Sequence, residues 1–198
     1  MQTEMFSALF LFVFAASLSP GPNNVMLLAS GANFGFRRTL PHWAGIGVGF
    51  QSLILITGFG LGRIFEIWPF SLTILKVVSV LYLLWLAWRI ANAAAPRPGQ
   101  SAGTPLTLLQ AASFQWVNPK AWTMALTSLS VYAPSDDFRG VLIVAAAFLL
   151  AFVVSGTLWV ALGRQLSRML GDPRHLRIFN WTMAALLVAS LVPVLTGG

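Results

Sequence analysis

The chain has 198 residues, of which 57% are hydrophobic and only 9% are charged. Soluble domains carry roughly 25% charged residues, so this composition excludes an ordinary soluble domain and predicts an all-α polytopic membrane protein surrounded by a lipid bilayer. The net charge of +7 comes without a basic cluster interleaved with loop aromatics. We therefore expect no nucleic-acid partner.

Six apolar runs each approach the ~20 residues that a helix needs to cross a bilayer. They cover residues 6–33, 42–62, 69–91, 106–133, 141–162 and 176–195. A linker at 93–105, rich in Ala, Pro, Gly and Ser, divides one membrane domain (1–198) into three-helix halves at 1–92 and 106–198. Because each half has an odd number of spans, we expect the halves to form inverted repeats.

Arginines are distributed unequally between the connections. Eight lie in or beside the first, third and fifth connections, whereas two lie near the second and fourth. Because cytoplasmic loops carry the excess of Lys and Arg, we expect the odd-numbered connections in the cytoplasm and both termini outside it. The eight are Arg37, Arg38, Arg89, Arg97, Arg164, Arg168, Arg174 and Arg177, and the two are Arg63 and Arg139.

The first span contains a sequence that a continuous helix does not tolerate, Pro20-Gly21-Pro22-Asn23-Asn24. A proline cannot donate a backbone hydrogen bond, and carbonyls freed in hydrocarbon need partners within the protein. A second half-helix that begins here would present a positive N-terminus to a carboxylate, while the freed carbonyls would accept from an ammonium. The break is therefore predicted to bind a zwitterion through Pro20, Gly21, Pro22, Asn23 and Asn24.

The fourth span contains a similar interruption at Asn118-Pro119-Lys120, where Pro119 frees the carbonyl of Gln115. Interrupted helices in corresponding positions of two halves point to a transporter's substrate site. Gln115, Asn118, Pro119 and Lys120 therefore complete the predicted site. The alternative is that both breaks are structural kinks whose neighbours satisfy the backbone. Lys120 would then pair with freed carbonyls such as that of Gln115.

An enzyme is not expected, and neither a metal nor a cofactor is. No carboxylate lies deep in any span, His42 and His175 are in different halves, and there is no cysteine. His42 is expected to be a hydrogen-bonded anchor at the membrane interface. Glycines four residues apart, such as Gly45 and Gly49, predict close helix packing. They are also compatible with a homo-oligomer.

Five segments, in this order and at this spacing, resemble the LysE/RhtB amino-acid exporter family over nearly the full length. They are Pro20-Gly21-Pro22-Asn23-Asn24, Gly35-Phe36-Arg37-Arg38, Ala44-Gly45-Ile46-Gly47-Val48-Gly49, Leu81-Tyr82-Leu83-Leu84-Trp85-Leu86-Ala87-Trp88-Arg89 and Phe114-Gln115-Trp116-Val117-Asn118-Pro119-Lys120. The resemblance implies a small multi-pass protein of the bacterial inner membrane that exports amino acids or close derivatives and is driven by the proton gradient.

Within that family, the paired asparagines after Pro-Gly-Pro and the Leu86-Ala87-Trp88-Arg89 ending are most similar to the cysteine and O-acetylserine exporter branch. Many members carry an acidic residue where this chain has Phe50-Gln51. The missing acid suits a neutral substrate.

Our first hypothesis is an exporter of small neutral amino acids that works by alternating access. The alternative is a non-transporting membrane subunit or scaffold. A channel is disfavoured because no ring of charges suggests a filter.

Overall fold

The structure, a computed structural model, describes residues 2–60, 62, 64–93, 103–133, 138–168, 170 and 172–196. These residues are almost entirely helical. The helices are α1 (Gln2–Leu18), α2 (Pro22–Gly58), α3 (Ile64–Ile67), α4 (Phe70–Ala91), α5 (Leu108–Gln115), α6 (Pro119–Tyr132), α7 (Phe138–Ser167), α8 (Pro173–Ala189) and α9 (Val192–Thr196). Three of them, α2, α4 and α7, are by themselves long and apolar enough to cross a membrane.

Two predicted spans are each divided between two helices. In the first, α1 ends at Leu18 and α2 begins at Pro22. In the fourth, α5 ends at Gln115 and α6 begins at Pro119. Each new helix has proline at its first position, where the missing N–H is not needed. The prolines therefore act as helix starts and do not kink a continuous helix.

The first connection differs from the sequence expectation. A loop was predicted between residues 33 and 42, but α2 runs through this region with a single non-helical residue, Gly35, at φ 77° and ψ 171°. Glycine adopts this left-handed φ at little cost, and Thr39 Oγ1 donates a hydrogen bond to the Gly35 carbonyl at 2.9 Å. We call residues 22–34 the first arm of α2 and residues 36–58 the second arm.

Several predicted features lie partly or wholly outside the described residues. These are Arg63, Arg97 and the middle of the linker, 94–102. The last predicted span differs in one detail, because a turn at Ser190 separates α8 from α9.

Glycines bring the backbones of neighbouring helices close together. A Cβ added at Gly31 would lie 2.4 Å from the Val160 carbonyl oxygen, and one at Gly163 would lie 2.1 Å from that of Leu28. These contacts pack the first arm of α2 against α7. On the second arm, a Cβ at Gly49 would lie 2.4 Å from the Ala112 carbonyl oxygen in α5. Small residues permit this kind of packing between membrane helices.

The protein buries two apolar clusters and exposes an apolar perimeter. One cluster joins α1, the second arm of α2, α6 and α7, with Phe50 edge-on to Phe148 at 5.1 Å between ring centroids. The other joins the first arm to α4, α5 and α8. On the outside, Val77, Leu81 and Trp88 of α4 are 53%, 63% and 65% exposed. Such a continuous apolar exterior suits lipid better than water.

Candidate functional site

The two helix interruptions lie against the same cavity, although they are about a hundred residues apart in sequence. This central pocket has about 480 Å³ of empty space, including the space at its mouth. Asn23 and Asn24 contribute polar side chains from the first break, and Asn118 and Lys120 contribute them from the second. Helices α2, α6 and α7 supply apolar walls. The fold therefore brings predicted site residues of both halves together at this pocket. Pro20 and Pro119 line a neighbouring cavity instead, and Gln115 is not part of the lining of either.

Lys120 reaches across the pocket to the first break. Its Nζ donates to the Ser19 carbonyl at 3.0 Å, to the Ser19 hydroxyl at 2.7 Å and to the Pro20 carbonyl at 3.4 Å. An ammonium has three donors, and all three have acceptors here. The structural alternative named the Gln115 carbonyl as one possible acceptor for Lys120. Lys120 instead donates to carbonyls of the first break, and the Gln115 carbonyl accepts from the Asn118 backbone N–H at 3.3 Å.

Gly21 makes room for the lysine. A Cβ at position 21 would lie 2.8 Å from Lys120 Cδ and 2.9 Å from Lys120 Nζ. The backbone of Gly21 is extended, at φ −174° and ψ 176°, so its conformation is open to any residue. Glycine is therefore needed at this position to leave space for the Lys120 side chain. It is not needed for the backbone conformation.

The backbone groups freed at the first break are largely satisfied within the protein. Ser19 Oγ donates to the Ala16 carbonyl at 2.8 Å, and Asn24 Nδ2 donates to the carbonyls of Ser17 and Ser19 at 2.7 and 2.9 Å. The Ala16 carbonyl, which Pro20 leaves without a backbone N–H donor, therefore has a partner within the protein. Asn24 ties the end of α1 to the start of α2 and holds the break in shape.

An amide pair joins the first break to α5. Asn23 Nδ2 donates to Gln115 Oε1 at 2.8 Å, and Gln115 Nε2 donates to Asn23 Oδ1 at 3.0 Å. Asn118 is 2% exposed and lines the pocket, and its Oδ1 has no hydrogen-bond partner among the described residues. A buried acceptor of this kind is normally paired. It is available to a donor on a bound molecule.

Sequence reasoning missed two serines of this region. Ser155 is 1% exposed, lines the pocket, and donates to the Ser17 carbonyl at 2.7 Å. Its only signal was a hydroxyl in the apolar run Val153-Val154-Ser155-Gly156. Ser19 directly precedes Pro20, and nothing in the sequence indicated that it would be a partner of Lys120.

The arrangement offers complementary charges to a small zwitterion. Lys120 supplies a cation, and Asn118 Oδ1 and the Ser19 carbonyl supply acceptors. The start of α2 adds the positive end of a helix, whose first-turn N–H groups lack intrahelical partners. Among the described residues that line the pocket, none is acidic. A second ammonium would find no counterion there.

A helical chain with an apolar exterior and two interrupted helices around a polar pocket is a multi-pass membrane protein. The chain belongs to the LysE type translocator family, whose profile matches residues 14–195. This is a family of transporters and not of enzymes, and the resemblance identified from the sequence is confirmed.

Curated relatives match over nearly the whole chain. A cysteine/O-acetylserine efflux protein of Klebsiella pneumoniae is 30% identical over 196 residues, covering 98% of both chains. Proteins of the same name from Escherichia coli K12 and Shigella flexneri are 26% and 27% identical, over 98% and 96% of this chain and 99% and 97% of their own. No solved structure matches this chain significantly.

Proposed function

We propose that this protein is an exporter of small neutral amino acids or close derivatives in the bacterial cytoplasmic membrane, with cysteine and O-acetylserine as the first substrates to test. The single observation that carries the proposal is the meeting of both helix breaks at one polar pocket. The names of the relatives support the same substrate class. Proton-motive force as the driving force is carried over from the family resemblance.

The pocket would bind the zwitterionic core of the substrate. The substrate carboxylate would bind the ammonium of Lys120. The substrate ammonium would donate hydrogen bonds to Asn118 Oδ1 and to the Ser19 carbonyl, which Lys120 would no longer contact. The substrate thus replaces the contact between Lys120 and the Ser19 carbonyl, and it supplies a donor to Asn118 Oδ1, which has no partner among the described residues. The absence of an acidic residue from the described lining favours a neutral over a basic amino acid.

We infer that the protein has six membrane-spanning segments in two inverted three-helix repeats, with the first and fourth segments interrupted. This arrangement would support alternating access. Reciprocal contacts between the second arm of α2 and α7 support a two-fold relation between the two halves, because a glycine in each helix faces an aromatic residue. A Cβ at Gly47 would meet Phe152 at 2.9 Å, whereas one at Gly156 would meet Trp43 at 2.7 Å, and the two aromatic rings stack at 5.2 Å. In each helix the aromatic residue precedes its glycine by four positions.

The cavities also favour a path through the molecule. A larger cavity of about 1330 Å³, including open space, lies beside the first turns of α4 and is lined by Leu72, Lys76 and Ser79. Lys120, Gly21 and Pro22 line both this Lys76 cavity and the central pocket. Lys120 would therefore act as the barrier between the pocket and the side that the arginine distribution assigns to the outside.

The test is efflux of labelled cysteine or O-acetylserine from preloaded bacteria at matched membrane abundance. The parent should accelerate efflux, and Asn118→Ala should reduce it at least tenfold. Asn118 makes no side-chain cap bond to α6, so its loss should spare the helix. Asn92→Ala, which removes an exposed asparagine at the end of α4, is the matched control and should export normally.

Two other results would count against the proposal. Normal efflux by Asn118→Ala would reject the site while leaving export intact. If the parent exports neither compound nor any other neutral amino acid, and co-purifies with a fixed membrane partner, the scaffold hypothesis replaces ours.

A further inference from the structure

A third cavity lies at the other end of α4 from the Lys76 cavity. It has about 460 Å³ of empty space, including its open mouth, and it is lined by the first arm of α2, by His42, by the last turns of α4 and by residues 104–106. Of the described residues, none lines both this His42 cavity and the central pocket. The arginine distribution assigns this end of α4 to the cytoplasm.

His42 is buried against the cavity. It is 2% exposed, and neither ring nitrogen has a hydrogen-bond partner among the described residues. The expectation of a hydrogen-bonded anchor is therefore wrong. Buried polar atoms are nearly always hydrogen-bonded, and ionisable residues within membrane segments are usually functional. A molecule in the cavity would supply the missing partner.

Arg89 faces the same space and has donors to spare. One of its terminal nitrogens lies 3.4 Å from the Thr104 carbonyl oxygen, and its guanidinium lies 5.1 Å from the centre of the Trp85 ring. A guanidinium carries five N–H donors in a fork that matches a carboxylate. Among the described lining residues none is acidic, so nothing there neutralises Arg89.

The neighbouring amides are already occupied. Asn33 Nδ2 donates to Asn180 Oδ1 and to the Ala29 carbonyl, both at 2.8 Å. Asn180 Nδ2 donates to Asn33 Oδ1 at 3.2 Å and to the Ala93 carbonyl at 2.9 Å. These bonds use both amide donors of each residue. Asn33 therefore has no amide donor left for a ligand, whereas His42 and Arg89 do have hydrogen-bonding capacity to offer.

We propose that the His42 cavity is a binding site for the carboxylate of a small molecule, through which the exported amino acid enters from the cytoplasm. Arg89 holds the carboxylate, His42 donates a ring N–H to it, and Met26, Leu86 and Leu106 surround a short side chain. This role as an entry site rests on the proposed function. The binding of a carboxylate does not.

The test uses 3-mercaptopropionate, which is cysteine without its ammonium, added in reduced form to the purified protein in phosphatidylcholine nanodiscs. Saturation-transfer NMR should detect binding, propionate should compete, and ethylamine should not. Arg89→Gln and His42→Leu should each lower the signal at least fivefold. Both variants are made in the Lys120→Met background, because the central pocket would offer Lys120 to the same carboxylate. Lys120→Met alone should still bind the probe through the His42 cavity, whose lining does not include that lysine. Arg38→Gln, which removes an arginine outside the cavity lining, is the matched control.

Three results would overturn this assignment. They are no binding to the parent, binding that survives both Arg89→Gln and His42→Leu, and binding that is lost in Lys120→Met instead. An unchanged thermal midpoint in the two variants excludes unfolding as the cause of any loss. If cells show no efflux while carboxylate binding still depends on Arg89 and His42, the site stands and the exporter proposal fails alone.

Discussion

Lys120 and Ser19 join the two helix breaks across 101 positions of sequence, with Lys120 Nζ 3.0 Å from the Ser19 carbonyl oxygen and 2.7 Å from the Ser19 hydroxyl. Ser19 directly follows the last residue of α1, and Lys120 is the second residue of α6. A helix end in one half is therefore tied to a helix start in the other. Any movement that separates the halves here must break this contact.

Replacing Lys120 with Met should weaken transport without preventing insertion. The change removes the cation proposed for the substrate carboxylate, and a hydrogen bond to a charged group contributes about 1.5–3 kcal/mol. We expect the apparent affinity for the exported amino acid to fall by roughly tenfold to a hundredfold. Concentration-dependent efflux at matched abundance measures this change. Arg38→Gln removes an exposed cation that is not in the lining of any of the three cavities, and it is the control.

One result would contradict a role of Lys120 in binding the substrate carboxylate. If Lys120→Met exports with the affinity of the parent but unfolds at a lower temperature, the lysine is a structural tie between the breaks. The carboxylate would then have to bind elsewhere in the pocket.

Gly21→Ala should displace the Lys120 side chain, because the new Cβ would lie within 3.0 Å of two of its atoms. The extended backbone accepts alanine, so we expect a folded protein with efflux reduced at least fivefold. Gly103→Ala is the control, since its Cβ would meet nothing closer than 3.9 Å. Normal efflux in Gly21→Ala would show that the lysine can move aside without consequence.

Proline chemistry made the helix breaks predictable, because proline removes a donor whatever surrounds it. The kink at Gly35 was not predictable in the same way. The polar sequence Gly35-Phe36-Arg37-Arg38 is typical of a loop, and only the packing of the two arms against α5 and α7 shows that helix continues beyond it. Local sequence located the interruption but could not tell a kink from a loop.

The sequence predicted most of the polar residues that line the central pocket, but not the hydrogen bonds between them. Asn23, Asn24, Asn118 and Lys120 all line the central pocket. Which of them stay available depends on contacts between distant segments. Asn24 donates to the carbonyls of Ser17 and Ser19, whereas Asn118 Oδ1 has no partner among the residues that the structure describes. Likewise, nothing in the sequence around His42 indicated that the fold would bury its ring with no hydrogen-bond partner among the described residues.

Gly163→Ala should destabilise the fold. The added Cβ would lie 2.1 Å from the Leu28 carbonyl oxygen and 2.9 Å from the Ala32 nitrogen, and these backbone atoms cannot rotate away. Overpacking of this kind costs about 1–3 kcal/mol, so we expect a lower thermal midpoint in detergent and lower membrane abundance. Ala161→Val adds two carbons on the exposed face of the same helix and should change neither. A parental midpoint for Gly163→Ala would contradict the close approach of α2 and α7.

The reciprocal amide pair of Asn23 and Gln115 should show energetic coupling. Each side chain both donates to and accepts from the other, so removing one partner also removes the benefit of the second. Polar pairs in a membrane protein couple by about 0.6 kcal/mol on average and by up to ~1.7 kcal/mol. A double-mutant cycle of Asn23→Ala and Gln115→Ala, followed by unfolding in mixed micelles, should give a value in this range.

The cycle of Asn23→Ala with the distant Asn92→Ala should be additive to within about 0.5 kcal/mol. Equal additivity in both cycles would mean that Asn23 is not held by Gln115, and its amide would then be free to serve the substrate.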